Sequence, residues 1–382
     1  MKIVVNTRLL ITGKLSGIGW FTYHTLKRIV KWHPEHQFVF LFDRKYDEEY
    51  IFGSNVIPEI IFPPTRHPLL WYLWFEHAIV KKVKKHNPAL FYSPDGHLSL
   101  KIKDIPSLPV IHDINFHHDK KGVPYFDGLY WRYYFPKYAH MASRIITVSE
   151  FSKNDIASYY NIPHNIIDVV YNGANEIFKP VSQSEKENIK KKYTGGEDYF
   201  LYVGVLVPRK NISRMIQAYD RFRDSSDSTV KLVIVGDSLY FTSEMKNAYN
   251  RAKYKEDIVF TGSLEQNELK LVLGAAISLI LVSCIEGFGI PVIEAMYADV
   301  PVITSNISSM PEIAKDAALL ADPYSIDSIK EAMLKMNSDE KLREDLIIKG
   351  RSQRLNFSWD NTAKAIWTSI EKAAGSKRAN DI

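Results

Sequence analysis

The chain has 382 residues, of which 46% are hydrophobic and 24% are charged, and its formal net charge is +5. This length exceeds one ordinary core and suits two α/β domains of about 150–200 residues each. The single cysteine, Cys284, excludes an internal disulfide, and the mild positive charge, without zinc-finger spacing or a basic recognition helix, argues against nucleic acid as a partner.

The apolar runs of the chain are short. None reaches the roughly 18–20 residues of a membrane span, and Lys2–Asn6 leads directly into structure without the pattern of a signal peptide. We therefore expect a cytoplasmic protein whose weakly basic surface suits an anionic membrane or a phosphate-bearing acceptor.

A strand, a glycine-rich turn and a helix open the chain. The strand Lys2–Asn6 precedes the turn Thr12–Gly19, and an amphipathic pattern from Trp20 onward predicts the helix. Gly17 and Gly19 would allow a ligand to approach the backbone, although a plain tight turn also explains them.

Apolar strands then alternate with helical patterns, which indicates a mostly parallel, doubly wound α/β sheet. The predicted strands are Phe38–Phe42, Glu59–Phe62, Ala89–Tyr92, Val110–His112, Arg144–Val148 and Asp168–Tyr171.

The segment Pro68–Lys85 combines an aromatic, helix-compatible stretch with a lysine-rich end. It is either a packed helix whose lysines complement the helix C-terminus or an interfacial helix that touches anionic lipid, and the packed helix is favoured.

His112 and Asp113 close the predicted strand that begins at Val110, at the edge where open α/β sheets hold their ligands. The adjacent residues His117, His118 and Asp119 raise the possibility of a metal site, but their spacing does not suit one. A loop that frames an acceptor, continuing through 120–124, is the better interpretation.

A polar, proline-broken stretch, Phe178–Ser184, predicts a domain boundary near residue 180. We expect one domain over 1–180, a second over 181–357, and a helix over 358–382 that returns to the first domain, with a frayed end at Ser376–Ile382.

The second half repeats the alternation. Its first strand, Tyr199–Leu206, contains Gly204 and precedes Arg209, Lys210 and Asn211, and two more strands, Lys231–Gly236 and Ile258–Gly262, end in glycine. Two adjacent cations after a strand can bind phosphate. Arg209 can donate hydrogen bonds to two phosphate oxygens at once, and Lys210 supplies a point charge.

The most informative stretch is Ser283–Met296, which reads SCIEGFGIPVIEAM after an apolar strand. Gly287 and Gly289 allow close approach of a ligand, and the following helix start offers unpaired N–H groups to an anion. Glu286 and Glu294 flank this loop eight positions apart.

This stretch resembles the E-x7-E signature of retaining nucleotide-sugar glycosyltransferases of the GT-B fold, glycosyltransferase family 4. The resemblance spans nearly the whole chain and is most specific at Arg209–Asn211 and Glu286–Met296. It implies two Rossmann-like, doubly wound domains facing across a cleft, with the donor nucleotide on the second and the acceptor on the first.

The resemblance also implies roles for single residues. Arg209 and Lys210 would neutralise the leaving diphosphate, Glu286 would hold the sugar, Glu294 would hold the ribose, and His112 would lie beside the donor sugar. The remaining implied binding residues are Gly17, Gly19, Asp113, Gly204, Gly262, Ser263, Gly287, Phe288, Gly289 and Ile290. No D-x-D motif is present, so neither a metal nor another cofactor is expected.

We therefore expect a hexosyltransferase that uses a GDP- or UDP-sugar, with mannose the first candidate, and a lipid-linked or cell-envelope glycan acceptor at the cytoplasmic face of the membrane. A soluble glucan synthase-like enzyme and a non-catalytic sugar-nucleotide sensor are the alternatives. A dinucleotide dehydrogenase is less consistent, because no G-x-G-x-x-G follows the first strand.

Overall fold

The structure, a computed structural model, describes residues 1–15, 17–237 and 242–375. The contacts divide the chain into two units, Met1–Gly173 together with Trp359–Ile382, and Ala174–Ser358. The boundary predicted near residue 180 lies a few residues beyond this division. The tail Ser376–Ile382 that we expected to fray lies outside the described residues.

The first unit contains a five-stranded parallel sheet in the order β3-β2-β1-β4-β5 and a two-stranded parallel sheet, β6-β7. A bridge between Val110 and Ile146 joins the two sheets. Because the chain moves outward from β1 to β3 and then returns to the other side of β1, the sheet is doubly wound. The strands are β1 Lys2–Asn6, β2 Gln37–Phe42, β3 Val56–Ile60, β4 Leu90–Ser93, β5 Ser107–Pro109, β6 Ile145–Thr147 and β7 Ile167–Val169.

Helices cover both faces of this sheet, because alternate residues of β1 enter different cores: Val4 lies in one, Ile3 and Val5 in the other. A serine cap begins α6, where the Ser149 side chain accepts a hydrogen bond from the Ser152 backbone. The helices are α1 Gly17–Trp32, α2 Pro68–Leu73, α3 Ile79–His86, α4 Asn115–His118, α5 Tyr125–Met141 and α6 Glu150–Tyr160.

Two of the predicted boundaries that are wrong in this unit concern candidate site residues. The first helix begins at Gly17, so Gly17 and Gly19 lie in its first turn rather than in a preceding loop. The strand β5 ends at Pro109, so His112 follows the sheet edge instead of closing the strand.

The segment 68–86 is helical throughout, with a π-helical turn, Trp74–Ala78, between α2 and α3. Trp74 and Phe75 are fully buried, which agrees with the packed-helix interpretation of this segment.

The second unit contains a six-stranded parallel sheet in the order β10-β9-β8-β11-β12-β13. Its strands are β8 Tyr199–Val203, β9 Lys231–Val235, β10 Ile258–Gly262, β11 Ser278–Leu281, β12 Val302–Ser305 and β13 Leu319–Ala321. Its helices are α7 Gln183–Thr194, α8 Ile212–Asp224, α9 Ser243–Arg251, α10 Gln266–Gly274, α11 Ile290–Tyr297, α12 Met310–Ala314, α13 Ile326–Ser338 and α14 Glu340–Gln353. The predicted fold class, two Rossmann-like α/β domains, is confirmed.

The last helix, α15 (Trp359–Gly375), packs on α1 in the first unit. The Trp359 ring stacks on His24 with centroids 4.9 Å apart, and Arg28 pairs with Asp360 at 2.6 Å. Of the helices in the described ranges, none is long and apolar enough to cross a membrane.

Candidate active site

Three glycines bring the carboxyl ends of β8, β9 and β10 close together. The Gly204 N–H donates to Val235 O at 2.9 Å, and the Gly236 N–H donates to Gly262 O at 3.0 Å. A Cβ added at Gly236 would lie 1.9 Å from Gly204 O, so this position cannot carry a side chain. Gly262, with φ of +71°, faces open space beside the exposed Ser263.

A single 3-10 turn, Pro208–Lys210, connects β8 to α8. Asn211 follows in the left-handed conformation, and its Nδ2 donates to Val282 O at 3.0 Å and to Pro323 O at 2.7 Å. In addition, the Cys284 N–H donates to Arg209 O at 2.8 Å. Asn211 is therefore a structural tie that fixes this turn against the loop after β11, which carries the first of the two glutamates.

Glu286 lies at the centre of a cluster of three charges, in which Glu286 and Lys210 are buried and Arg209 is half-buried. Arg209 Nη1 donates to Glu286 Oε2 at 3.2 Å, and Lys210 Nζ contacts the same oxygen. Burial alone would raise the pKa of the Glu286 carboxyl, but the adjacent Lys210 and Arg209 hold it below its ordinary value. Glu286 is therefore ionised at neutral pH.

The backbone of the loop that begins at Glu286 is fixed by contacts with other segments of the second unit. Ser309 Oγ donates to Glu286 O at 2.8 Å, and Gly289 adopts φ of +92° at the N-cap of α11. The Phe288 ring is buried against Phe357, with centroids 5.8 Å apart, so its backbone is the part that can meet a ligand. Gly287 is buried, and Ile290 begins the helix.

Glu294 has the opposite environment from Glu286. It is half-buried in the second turn of α11, and within the described part of the chain its carboxylate has no hydrogen-bond or ion-pair partner. Burial raises the pKa of Glu294 to about 8. The two glutamates of the pair are thus shifted in opposite directions: neighbouring cations lower the pKa of Glu286, and burial raises the pKa of Glu294.

In the first unit, His112 is half-buried, and its Nε2 donates to Pro94 O at 2.9 Å. Burial lowers the pKa of His112, and the bond to Pro94 and nearby Asp113 oppose this only in part. The ring is therefore neutral, and the bond to Pro94 places its proton on Nε2 and leaves Nδ1 as an acceptor.

Asp113 precedes the short helix α4 and accepts a hydrogen bond from the Asn115 N–H at 3.0 Å. The following histidines have separate partners on α6, His117 at Tyr160 Oη and His118 at Asp155. This arrangement draws the two imidazoles apart instead of directing them at one ion.

Gly17 and Gly19 differ in their surroundings. A Cβ at Gly17 would meet open space, whereas one at Gly19 would lie 3.0 Å from Leu9 O and 3.2 Å from the Leu15 side chain. The absence of a side chain at Gly19 is therefore needed for packing, and Gly17 is the more accessible of the two.

The sequence did not reveal a buried polar network at the carboxyl ends of β1 and β4. Arg8 Nε pairs with Asp95 Oδ2 at 2.5 Å, and Asn6 Nδ2 donates to Asp95 Oδ1 at 2.8 Å and to Ser93 Oγ at 3.0 Å. This network fixes the backbone around Pro94, whose carbonyl orients His112. The available signal was a group of polar residues at the end of each strand: Asn6, Thr7 and Arg8 for β1, and Ser93, Asp95 and His97 for β4.

Family models cover most of the chain. The model described as Glycosyltransferase Family 4 matches residues 15–176, and the model described as Glycosyl transferases group 1 matches residues 183–353. The chain is a glycosyltransferase of family 4, group 1. This confirms the resemblance drawn from the Glu286–Met296 motif.

The glycosyltransferase is 28% identical to O-antigen chain mannosyltransferase B of Escherichia coli, over 73% of each chain. It is 26% identical to the O-antigen chain mannosyltransferase RfbU of Salmonella typhimurium, over 84% of this chain and 86% of that one. The crystal structure of Anabaena HepE in complex with UDP and glucose is similar in fold, with a TM-score of 0.73 and 17% identity over 97% of this chain and 99% of that one.

Within this glycosyltransferase, the second unit unites residues that the sequence suggested separately. Arg209 and Lys210 form one cluster with Glu286, which lies 77 and 76 positions after them in the chain. Their mutual pairing was not foreseen, since the cations were assigned to phosphate and the carboxylate to sugar.

Proposed function

We propose that this glycosyltransferase moves a hexosyl group, with mannose the first candidate, from a nucleoside diphosphate sugar to a lipid-linked glycan precursor of the cell envelope. The transfer retains the anomeric configuration. The names of two relatives, both O-antigen mannosyltransferases, support the sugar and the acceptor class.

One observation carries the proposal, the ion-paired group of Lys210, Arg209 and Glu286 just before the start of α11. Negative charge grows on the diphosphate as the sugar–phosphate bond breaks, and two preorganised cations with the N–H groups of α11 would stabilise it. These cations pair with Glu286, so donor binding would share them between carboxylate and phosphate. The ionised Glu286 would then face the positive charge that develops on the sugar.

The remaining residues would position the donor and the acceptor. Glu294 would bind the ribose hydroxyls, and the backbone at Gly204, Gly262 and Ser263 would line the nucleotide. In the first unit, Asp113 and the start of α1 at Gly17 would contribute to the acceptor side of the reaction. His112 would lie beside the donor sugar, with its Nδ1 as an acceptor for a sugar hydroxyl.

The decisive experiment measures transfer with a panel of GDP- and UDP-sugars and with lipid-linked and water-soluble acceptors, followed by determination of the anomeric configuration of the product. We expect turnover with GDP-mannose and a lipid-linked acceptor, with retention. Preference for a soluble glucan would favour the glucan synthase-like alternative, and donor binding without turnover on any acceptor would favour a sensor.

We also predict that transfer does not require a divalent metal. The sequence has no D-x-D motif, and Arg209 and Lys210 would supply the positive charge that a metal ion provides in other transferases. Initial rates should be unchanged by EDTA. Loss of activity on chelation with recovery on adding Mg²⁺ or Mn²⁺ would contradict this prediction.

Glu294 should make the second unit less stable as pH rises. Its pKa in the folded state, about 8, lies above the ordinary value of 4.5, so the folded state binds more protons between these values and stability falls as pH rises through them. At pH 8.5, Glu294→Gln should therefore have a free energy of unfolding that is higher than that of the wild type by roughly a few kcal/mol. At pH 5.5 the difference should be small. An equal change at both pH values would contradict the assignment.

A further inference from the structure

Large apolar side chains are concentrated on the outer surfaces of two helices in the first unit. On α5, Tyr125 is 70% exposed, Phe126 71%, Leu129 45% and Tyr133 58%. On α2, Leu69 is 62% exposed, Tyr72 36% and Leu73 38%. Single exposed apolar residues are ordinary, but a continuous group of them marks an interaction site. We call these seven residues the aromatic face.

The face is continuous because α2 and α5 pack together. Tyr125, Leu129 and Tyr133 are spaced four residues apart and so form one stripe along α5. Beneath the face, the Trp71 ring on α2 lies 5.4 Å from Tyr130 and 5.7 Å from Trp131, both on α5. The exposed residues of both helices therefore border one seam.

The inner side of α5 holds this face rigidly. Phe135 and Tyr138 are buried, and the hydroxyl groups of Tyr130 and Tyr138 are 2.9 Å apart. Arg132 Nη1 donates to Phe116 O on α4 at 3.2 Å. The exposed rings are thus presented by an anchored helix and are not a loosely packed segment.

Cations border the aromatic face. Lys120 and Lys121 are exposed just before α5, and Arg66 is exposed just before α2. Lys137 lies along the stripe, with its Nζ 3.3 Å from the centre of the Tyr133 ring. The acidic residue in the first turn of α5, Asp127, is half-buried. Apolar rings surrounded by lysines suit the boundary between headgroups and acyl chains of an anionic bilayer.

We propose that the aromatic face docks the enzyme on an anionic lipid bilayer, with Tyr125, Phe126 and Leu129 entering the headgroup region and the surrounding cations contacting lipid phosphates. A second copy of the chain fits this surface less well, because a two-fold contact would place the cations of both copies in one interface. The surface shares its α2 residues with the segment Pro68–Lys85 that the sequence suggested, but most of it lies on α5 and it does not include the lysines of α3.

The role of this docking rests on the proposed function: a lipid-linked acceptor is confined to the bilayer, so an enzyme held at the bilayer meets it more often. In sequence, only α4 and a short loop separate Asp113 from Tyr125, and Arg132 on α5 donates to Phe116 O on α4 at 3.2 Å. The face and the candidate acceptor residue Asp113 therefore belong to adjacent segments of the first unit, and docking through the face would hold that unit at the surface where the acceptor is.

Co-sedimentation with vesicles of phosphatidylcholine alone, or mixed with phosphatidylglycerol, tests the proposal. We expect the wild type to bind the anionic vesicles, more weakly at high salt. The double variant Tyr125→Ser with Phe126→Ser should bind roughly tenfold more weakly or worse, since it removes two apolar groups from the interface.

The matched control is Ile348→Ser with Leu355→Ser in the second unit, where the side chains are 64% and 71% exposed. It removes similar exposed apolar surface and should bind vesicles like the wild type. Absence of wild-type binding to anionic vesicles, or equal losses in both double variants, would overturn the proposal. The proposal would also be overturned if light scattering showed that the wild type is a dimer and the Tyr125/Phe126 variant is a monomer, because the face would then be a self-association surface.

Activity separates this proposal from the proposed function. With a water-soluble analogue of the acceptor, the Tyr125/Phe126 variant should keep the wild-type rate, which also shows that it is folded. With the acceptor in vesicles its rate should fall along with its vesicle binding. A wild type that binds vesicles but transfers no sugar would overturn the function alone, and one that transfers sugar equally well with and without vesicle binding would overturn the docking role alone.

Discussion

Replacing Arg209 or Lys210 by alanine is expected to slow sugar transfer at least about 100-fold in each case, the usual effect of removing one preorganised charge stabiliser. Both cations contact the buried Glu286 carboxylate, so each is fixed in place before a donor arrives. The measurement is the turnover rate at saturating donor and acceptor, because the loss should fall mainly on the chemical step.

These variants need a control for stability, since removing either cation leaves Glu286 buried with fewer partners. Arg221→Ala is the matched control. Arg221 lies on α8, shortly after the 3-10 turn, and pairs with Asp327 at 2.9 Å, but both side chains are more than half exposed. This variant should lose little stability and no activity.

A second variant separates the charge of Lys210 from its volume. Lys210→Met keeps the aliphatic packing and should be nearly as slow as Lys210→Ala, because the missing element is positive charge. Near-wild-type turnover in Lys210→Met or Arg209→Ala, in protein shown to be folded, would remove these residues from the reaction.

The part of the site that could be predicted from sequence is the part that is contiguous in the chain. The stretch Ser283–Met296 contains a glycine loop, a helix start and two carboxylates within one local unit, so its chemistry follows from its order. The direction in which each side chain points could not be predicted from this order. Phe288 was counted as a binding residue, yet its ring packs on Phe357, 69 positions later, as only the folded unit reveals.

Contacts between distant segments could not be predicted. Arg8 and Asp95 are 87 positions apart and meet only because β1 and β4 are neighbours in the sheet, an order that hydrophobic patterns do not specify. The aromatic helix α5 was missed for a different reason. Aromatic residues occur on both its buried and its exposed sides, so its sequence lacks the contrast between faces that marks an amphipathic helix.

The buried pair in the first unit gives the second large expected effect, this time on stability. Asp95→Asn should lower the free energy of unfolding of that unit by about 3–5 kcal/mol, the usual cost of leaving one member of a buried ion pair without its partner. Arg8 would remain buried between the Trp71 and Phe75 rings, each about 5.7 Å away. Hydrogen exchange at the amides of β1 and β4 measures this locally.

Asp360→Asn is the matched control in the same unit. Asp360 pairs with Arg28 at 2.6 Å, but its side chain is 59% exposed, so its loss should cost less than about 1 kcal/mol. Replacing both buried partners, as Arg8→Met with Asp95→Asn, should be less destabilising than Asp95→Asn alone, because no unpaired charge remains.

The stability effect of Asp95→Asn should depend on pH in one direction. Burial would raise the pKa of Asp95, but Arg8 and His97 hold it well below its ordinary value of 3.8. The stabilisation is therefore fully present above about pH 4 and is lost as pH falls below it, so the difference between wild type and variant should shrink in acid. The variant should also transfer sugar more slowly, since Pro94, which precedes Asp95, orients His112 through its carbonyl. Unchanged exchange in β1 and β4, together with an unchanged rate, would show that the pair neither stabilises the first unit nor positions His112.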